Sequence, residues 1–220
     1  MALTFTGMTL ADLLERFGAI PAARIRYDPP PGTATEQDVI RLEARENRLF
    51  ELVDGVLVEK AMGFYEAFLA MRLGQFLLAF VERHALGIVA GEASMMRFAP
   101  GLVRIPDVSF VSWDRLPQRR VPRQPLPDLV PDLAVEVLSE GNTRREMEQK
   151  LREYFSAGVR LVWYVDPALQ EIHVYTAPDQ REVLTAGYTL RGGEVLPGFM
   201  LPVRQLFAEP AESPEHHQAL

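Results

Sequence analysis

The 220-residue chain contains no cysteine, which removes disulfides, thiolate metal sites and cysteine nucleophiles together and fits a reducing compartment. Lysine is almost as scarce: Lys60 and Lys150 are the only two among 23 lysines and arginines. Of the four histidines, His173 lies between Ile172 and Val174 on a strand-like run and His84 ends a helical one, while His216 and His217 fall in the tail, so none builds a rival site. The first twenty residues lack a basic start followed by an unbroken apolar run, and no signal peptide is expected. The most apolar long stretch, from Phe64, is interrupted by Glu66, Arg72 and Gln75, which describes an amphipathic helix rather than a membrane span. A cytoplasmic protein is expected.

The net charge of −7 argues against a dedicated nucleic-acid binder, because neutralising phosphates takes a basic surface. The cations are nonetheless clustered. RLPQRRVPR places Arg115, Arg119, Arg120 and Arg123 together with no acid between them, and on its own this is a solvated, proline-punctuated loop. Hydrophobic residues at 48% and charged residues at 24% are enough for a sizeable core in one domain with an added lobe.

Patterning gives the order of elements. Thr9 with Asp12 starts a helix that Gly18 stops, and a second short helix ends near Arg45. LFELVDGVLVEK is a hairpin closed by Asp54-Gly55, a dipeptide that accepts the positive φ of a tight turn. A long helix follows over 64–84, then strands over 87–93, 94–98, 107–113 and 132–139. A helix over 143–157 precedes an apolar strand over 160–166. EIHVYT and REVLTAGYTL predict a terminal β-meander. The division expected is a helical extension over 1–48, a core over 49–208 and a disordered tail over 209–220.

Two acids stand out against this pattern. On an extended strand Ala134, Glu136 and Leu138 share one face, with Val135 and Val137 on the other. Both faces are otherwise apolar, as in a central strand, so an ionised Glu136 needs a partner. Asp107, directly after Pro106, heads another apolar strand. Two carboxylates on neighbouring strand ends form a hard-oxygen site suited to Mg²⁺ or Mn²⁺; two separate structural ion pairs are the other possibility. In the next helix Met147, Leu151, Tyr154 and Phe155 form the packing stripe. Lys150 lies at its edge, within reach of Glu136. A lysine kept in a chain that otherwise uses arginine points to chemistry, because an ammonium is compact and its pKa can be moved. Lys60, in the hairpin, carries no such reading.

Pro106-Asp107, Glu136-Val137-Leu138, the helix with Lys150 and Tyr154, and GVRLVWYVDP from Gly158 together resemble the Uma-two endonucleases of bacteria, within the PD-(D/E)XK superfamily. The resemblance runs from Glu51 to Tyr175. It implies an α/β (α+β) restriction-endonuclease-like core, a central mixed sheet flanked by helices. It also implies a DNA substrate, a possible homodimer, and Asp107 and Glu136 as Mg²⁺ or Mn²⁺ ligands. The superfamily's lysine two residues after the glutamate is Leu138 here, and Lys150 is expected to supply the missing ammonium. Glu66 aligns with an accessory acid or histidine early in the long helix, and the arginine loop is the candidate phosphate-binding surface. A non-catalytic binding member of the fold and a hydrolase of small phosphorylated substrates remain as alternatives.

Overall fold

The structure, a computed structural model, describes residues 9–60 and 62–209. The tail expected from 209 onward therefore lies outside the described residues except for Glu209. Helix α1 (Leu10–Arg16) opens on a capping box between Thr9 and Asp12, and a short strand β1 (Ile25–Arg26) leads to helix α2 (Glu36–Glu46). Strands β2 (Phe50–Val53) and β3 (Val56–Glu59) form the expected hairpin. Its turn residues Asp54 and Gly55 have φ of 51° and 75°, the doubly left-handed turn that matches strand twist. A Cβ on Gly55 would lie 2.6 Å from the backbone of Gly32, so this position also requires the missing side chain.

Helix α3 (Phe64–Arg83) is followed by β4 (Gly87–Gly91), β5 (Met96–Ala99), β6 (Leu102–Arg104) and β7 (Val108–Ser112). After the arginine loop come β8 (Leu133–Val137), helix α4 (Arg144–Ala157), β9 (Leu161–Asp166), β10 (Glu171–Ala177) and β11 (Gln180–Leu184). The chain closes with β12 (Thr189–Gly192), β13 (Leu196–Pro202) and a short α5 (Val203–Phe207). The expected meander is divided. β10 and β11 extend the large sheet, whereas β12 pairs with β13 in a separate two-stranded sheet.

Two larger sheets organise the molecule. One has the order β1-β3-β2-β6-β5, and the other the order β11-β10-β9-β8-β7-β4. The second is mixed: β8 and β9 run parallel while its other neighbours are antiparallel. That parallel pair needs a crossover, which α4 supplies. On one face of this sheet α3 buries Leu69, Leu73, Leu77 and Val81 against Val108, Val135 and Trp163. Each fully buried aliphatic side chain of this kind contributes about 1.5–3 kcal/mol. On the other face α4 packs Met147, Leu151 and Tyr154 over Ala134, Val162 and Tyr164, the stripe that periodicity predicts. Residues 10–46 pack onto the smaller sheet, with Val39 and Leu42 of α2 against Phe50 and Leu52 and α1 against Val53 and Val56.

The chain leaves the smaller sheet at Arg104 and enters the larger one at Val108. Pro106 falls in that crossing, where its missing N–H costs no ladder bond.

Candidate functional site

Asp107 sits at the end of this crossing and is held to β8 by two bonds. Its backbone N–H donates to Val135 O at 3.0 Å, and its Oδ2 accepts the Val137 N–H at 2.6 Å. With Val108 opposite Val135 in the register, Asp107 and Glu136 meet across neighbouring strands on the sheet end where β7 begins and β8 finishes. Alternation along β8 turns Glu136 toward α4. There Lys150 Nζ lies 2.9 Å from Glu136 Oε2, while the Tyr154 hydroxyl donates to Glu136 Oε1.

Four residues to which sequence patterning assigns no role complete the cluster: Glu51, Lys60, Arg104 and Glu153. Lys150 Nζ also lies 3.0 Å from Glu51 Oε1, contributed by β2. Glu51 accepts from Arg104 Nη1 at 2.6 Å and from the Ile105 N–H at 3.1 Å, and Arg104 pairs further with Glu153 on α4. Lys60, just past β3, brings its Nζ to 2.6 Å from Asp107 Oδ1 and donates to Ile105 O. The hairpin lysine thus stands on one of the two carboxylates singled out from sequence. Every lysine of the chain is in this cluster.

A signal for these residues was present. Glu51 in FELV and Arg104 in LVRI are charged residues inside apolar strands, the same anomaly that marked Glu136. Lysine scarcity applied to Lys60 as much as to Lys150.

Electrostatics follow from enclosure. Burial pushes the Glu51 carboxyl up, but Lys150, Arg104 and Lys60 outweigh it and hold Glu51 well below the usual carboxylate range. Burial pushes Glu136 up, and the neighbouring Asp107 and Glu51 add to this against the pull of Lys150. Burial alone would lower Lys150; Glu136 and Glu51 overcome it and hold the ammonium above the usual lysine range. Lys150 therefore stands between the two carboxylates as a positive charge. Tyr154 is raised by burial and then by Glu136, so its hydroxyl keeps its proton and donates.

Asp107 Oδ1, Glu136 Oε2 and Glu51 Oε1 are hard oxygen donors of the kind Mg²⁺ and Mn²⁺ prefer, so the residues fit such an ion by chemistry. In this arrangement each donor faces an ammonium, and among the described residues no three acids or histidines stand together as a ligand set.

The other expected residues are placed apart. Glu66 lies in the first turn of α3 and lines a cleft of about 760 Å³ with Tyr65, Leu138, Arg144, Tyr164 and Asp166. That cleft lies at the same end of the sheet as Asp107 and Glu136, beyond the final residues of β8 and β9. The arginine loop follows the opposite end of β7, about one strand length of 17 Å away. Arg115 is committed to structure, with Nε 2.8 Å from buried Asp132 and Nη2 donating to Gly158 O at 2.7 Å. Of the four arginines expected to meet phosphates, Arg115 is the one held to the protein by these bonds. Arg119, Arg120 and Arg123 are exposed.

The mixed sheet flanked by α3 and α4, with acids and a lysine gathered at one end, is the restriction-endonuclease-like fold and defines a nuclease-like class. The chain belongs to the Uma2 family, whose model, described as "Putative restriction endonuclease", matches residues 36–204. Five chains of known structure match it. One is a crystal structure of a "putative nuclease belonging to DUF820" from Anabaena variabilis ATCC 29413, with a TM-score of 0.64 and 19% identity, covering 72% of this chain and 89% of that one. Among curated proteins none matches.

Proposed function

We propose that this protein hydrolyses phosphodiester bonds in DNA with a divalent ion, Mg²⁺ or Mn²⁺, held by Asp107 and Glu136. The observation that carries the reading is the meeting of these two acids across β7 and β8 with Lys150 Nζ 2.9 Å from Glu136. When bound, such an ion polarises the phosphodiester and lowers the pKa of an attacking water. Val137 N–H fixes the orientation of Asp107, and the Tyr154 hydroxyl fixes that of Glu136. Lys150, held protonated, offsets the negative charge that grows on the phosphoryl oxygens, a role set by placement. The scissile strand approaches through the cleft beyond β8 and β9, where Glu66 serves as an accessory acid at the rim. Arg119, Arg120 and Arg123 meet phosphates that flank the cut, since half a duplex turn spans about 17 Å.

A non-catalytic reading draws on one observation: the Asp107 and Glu136 side chains are only 5% and 8% exposed and already paired. Calorimetry with Mn²⁺ separates the two. The parent binds the ion, and Glu136→Gln and Asp107→Asn lose it while remaining folded. A Glu136→Gln variant that binds Mn²⁺ as well as the parent returns Glu136 to a structural ion pair.

A further inference from the structure

Lys60 is a member of the cluster to which the proposed reaction assigns no role. Its ammonium lies 2.6 Å from Asp107 Oδ1, and its side chain is 9% exposed. The other Asp107 oxygen is engaged by the Val137 N–H. Oδ1 is therefore the oxygen Asp107 has to offer a metal ion, and Lys60 stands on it. An ammonium hydrogen-bonded to that oxygen and a divalent ion coordinated to it about 2.1 Å away compete for the same space, and two cations so close repel.

The charge balance points the same way. Glu51, Asp107, Glu136 and Glu153 supply four negative charges, and Lys60, Arg104 and Lys150 supply three positive ones. The enclosed cluster thus carries −1. A divalent ion takes it to +1, and release of one cation returns it to neutrality. Arg104 and Lys150 each bridge two carboxylates, whereas Lys60 holds one carboxylate and a backbone carbonyl. Lys60 also extends from the end of a hairpin strand, not from the middle of a packed helix. It is the cation least tied to its place.

We infer that Lys60 is a resident cation of the metal position: its ammonium neutralises Asp107 while no divalent ion is bound and gives way when one arrives, so that it sets the affinity for the ion. This inference rests on the proposed metal-dependent reading. With Lys60 on Asp107 and Lys150 on Glu136, neither acid is left as an unpaired buried carboxylate, which would be strongly destabilising.

The test is Mn²⁺ binding by calorimetry, with thermal unfolding measured in EDTA and in Mn²⁺, on the parent, Lys60→Met, Lys60→Gln and Asp107→Asn. Removing the competing charge tightens Mn²⁺ binding by about tenfold or more in both Lys60 variants, the scale of one close charge pair. Both variants melt below the parent in EDTA and gain more from Mn²⁺ than the parent does. Lys60→Gln keeps a donor for Ile105 O, so it carries the test if the methionine variant does not fold. A parent that binds Mn²⁺ alongside Lys60 variants with equal or weaker affinity overturns the role of Lys60 and leaves the metal reading standing. Absence of Mn²⁺ binding in the parent and in all variants overturns both.

Discussion

Removing one charge from the cluster has very different consequences depending on which partner is removed. Lys150 Nζ stands between Glu136 at 2.9 Å and Glu51 at 3.0 Å, and the residue is 7% exposed. Lys150→Met therefore takes the shared cation from two buried carboxylates. Glu51 retains Arg104, but Glu136 keeps only the Tyr154 hydroxyl. Breaking a buried pair from one side costs about 3–5 kcal/mol, which in a chain of this size lowers the melting temperature by roughly 6–20 °C. Glu136→Gln leaves Lys150 paired with Glu51 and keeps an acceptor for Tyr154. It also removes a carboxylate whose charge burial already disfavours, so its cost stays within about 1.5 kcal/mol, the net worth of one hydrogen bond. Urea unfolding in EDTA, followed by the fluorescence of the fully buried Trp163, measures both. Equal losses for the two variants would refute the view that Lys150 neutralises two acids at once.

Because the Lys150 ammonium is enclosed by Glu51, Glu136 and the Tyr154 ring, the larger planar guanidinium of Lys150→Arg cannot replace it. Single-turnover cleavage in Mn²⁺ falls by about 10²–10³ for both Lys150→Arg and Lys150→Ala, and arginine activity within a few-fold of the parent would withdraw the catalytic assignment. Tyr154→Phe loses a bond to a charged acceptor and costs about 1.5–3 kcal/mol in urea unfolding; a neutral substitution would contradict the buried hydrogen bond. Arg115→Ala lowers stability by removing the bond to buried Asp132 without changing the salt dependence of DNA binding. Joint replacement of Arg119, Arg120 and Arg123 by alanine weakens binding across sequences and flattens the salt slope by roughly one unit for each phosphate no longer neutralised. An unchanged slope in that triple variant assigns the loop to solvent alone.

What could be read from the sequence was set by how local its cause is. The Asp54-Gly55 turn, the Thr9–Asp12 start of α1 and the apolar stripe on α4 each depend on neighbours within a few residues, and each is legible in the sequence. Glu136 was visible because a charge inside LAVEV contradicts its surroundings. Its match to Lys150 followed because strand β8 and helix α4 are joined by a short turn. Lys60, Glu51 and Arg104 escaped for the opposite reason. Their partners lie 45 to 99 residues away and meet only because the chain passes from one sheet to the other at Pro106. Composition contained the clue, two lysines in the whole chain, but distance along the sequence hid that both belong to one site. In the arginine loop the local pattern shows a dense surface cluster but not that one of its members, Arg115, pairs with buried Asp132.

The measurement that bears most directly on the account is single-turnover cleavage of a labelled DNA duplex by the parent and by Asp107→Asn, each in Mn²⁺ and in EDTA. The account predicts cleavage by the parent in Mn²⁺ alone and none by Asp107→Asn under either condition. Cleavage by Asp107→Asn at the parent's rate, or a parent equally active in EDTA, would contradict it.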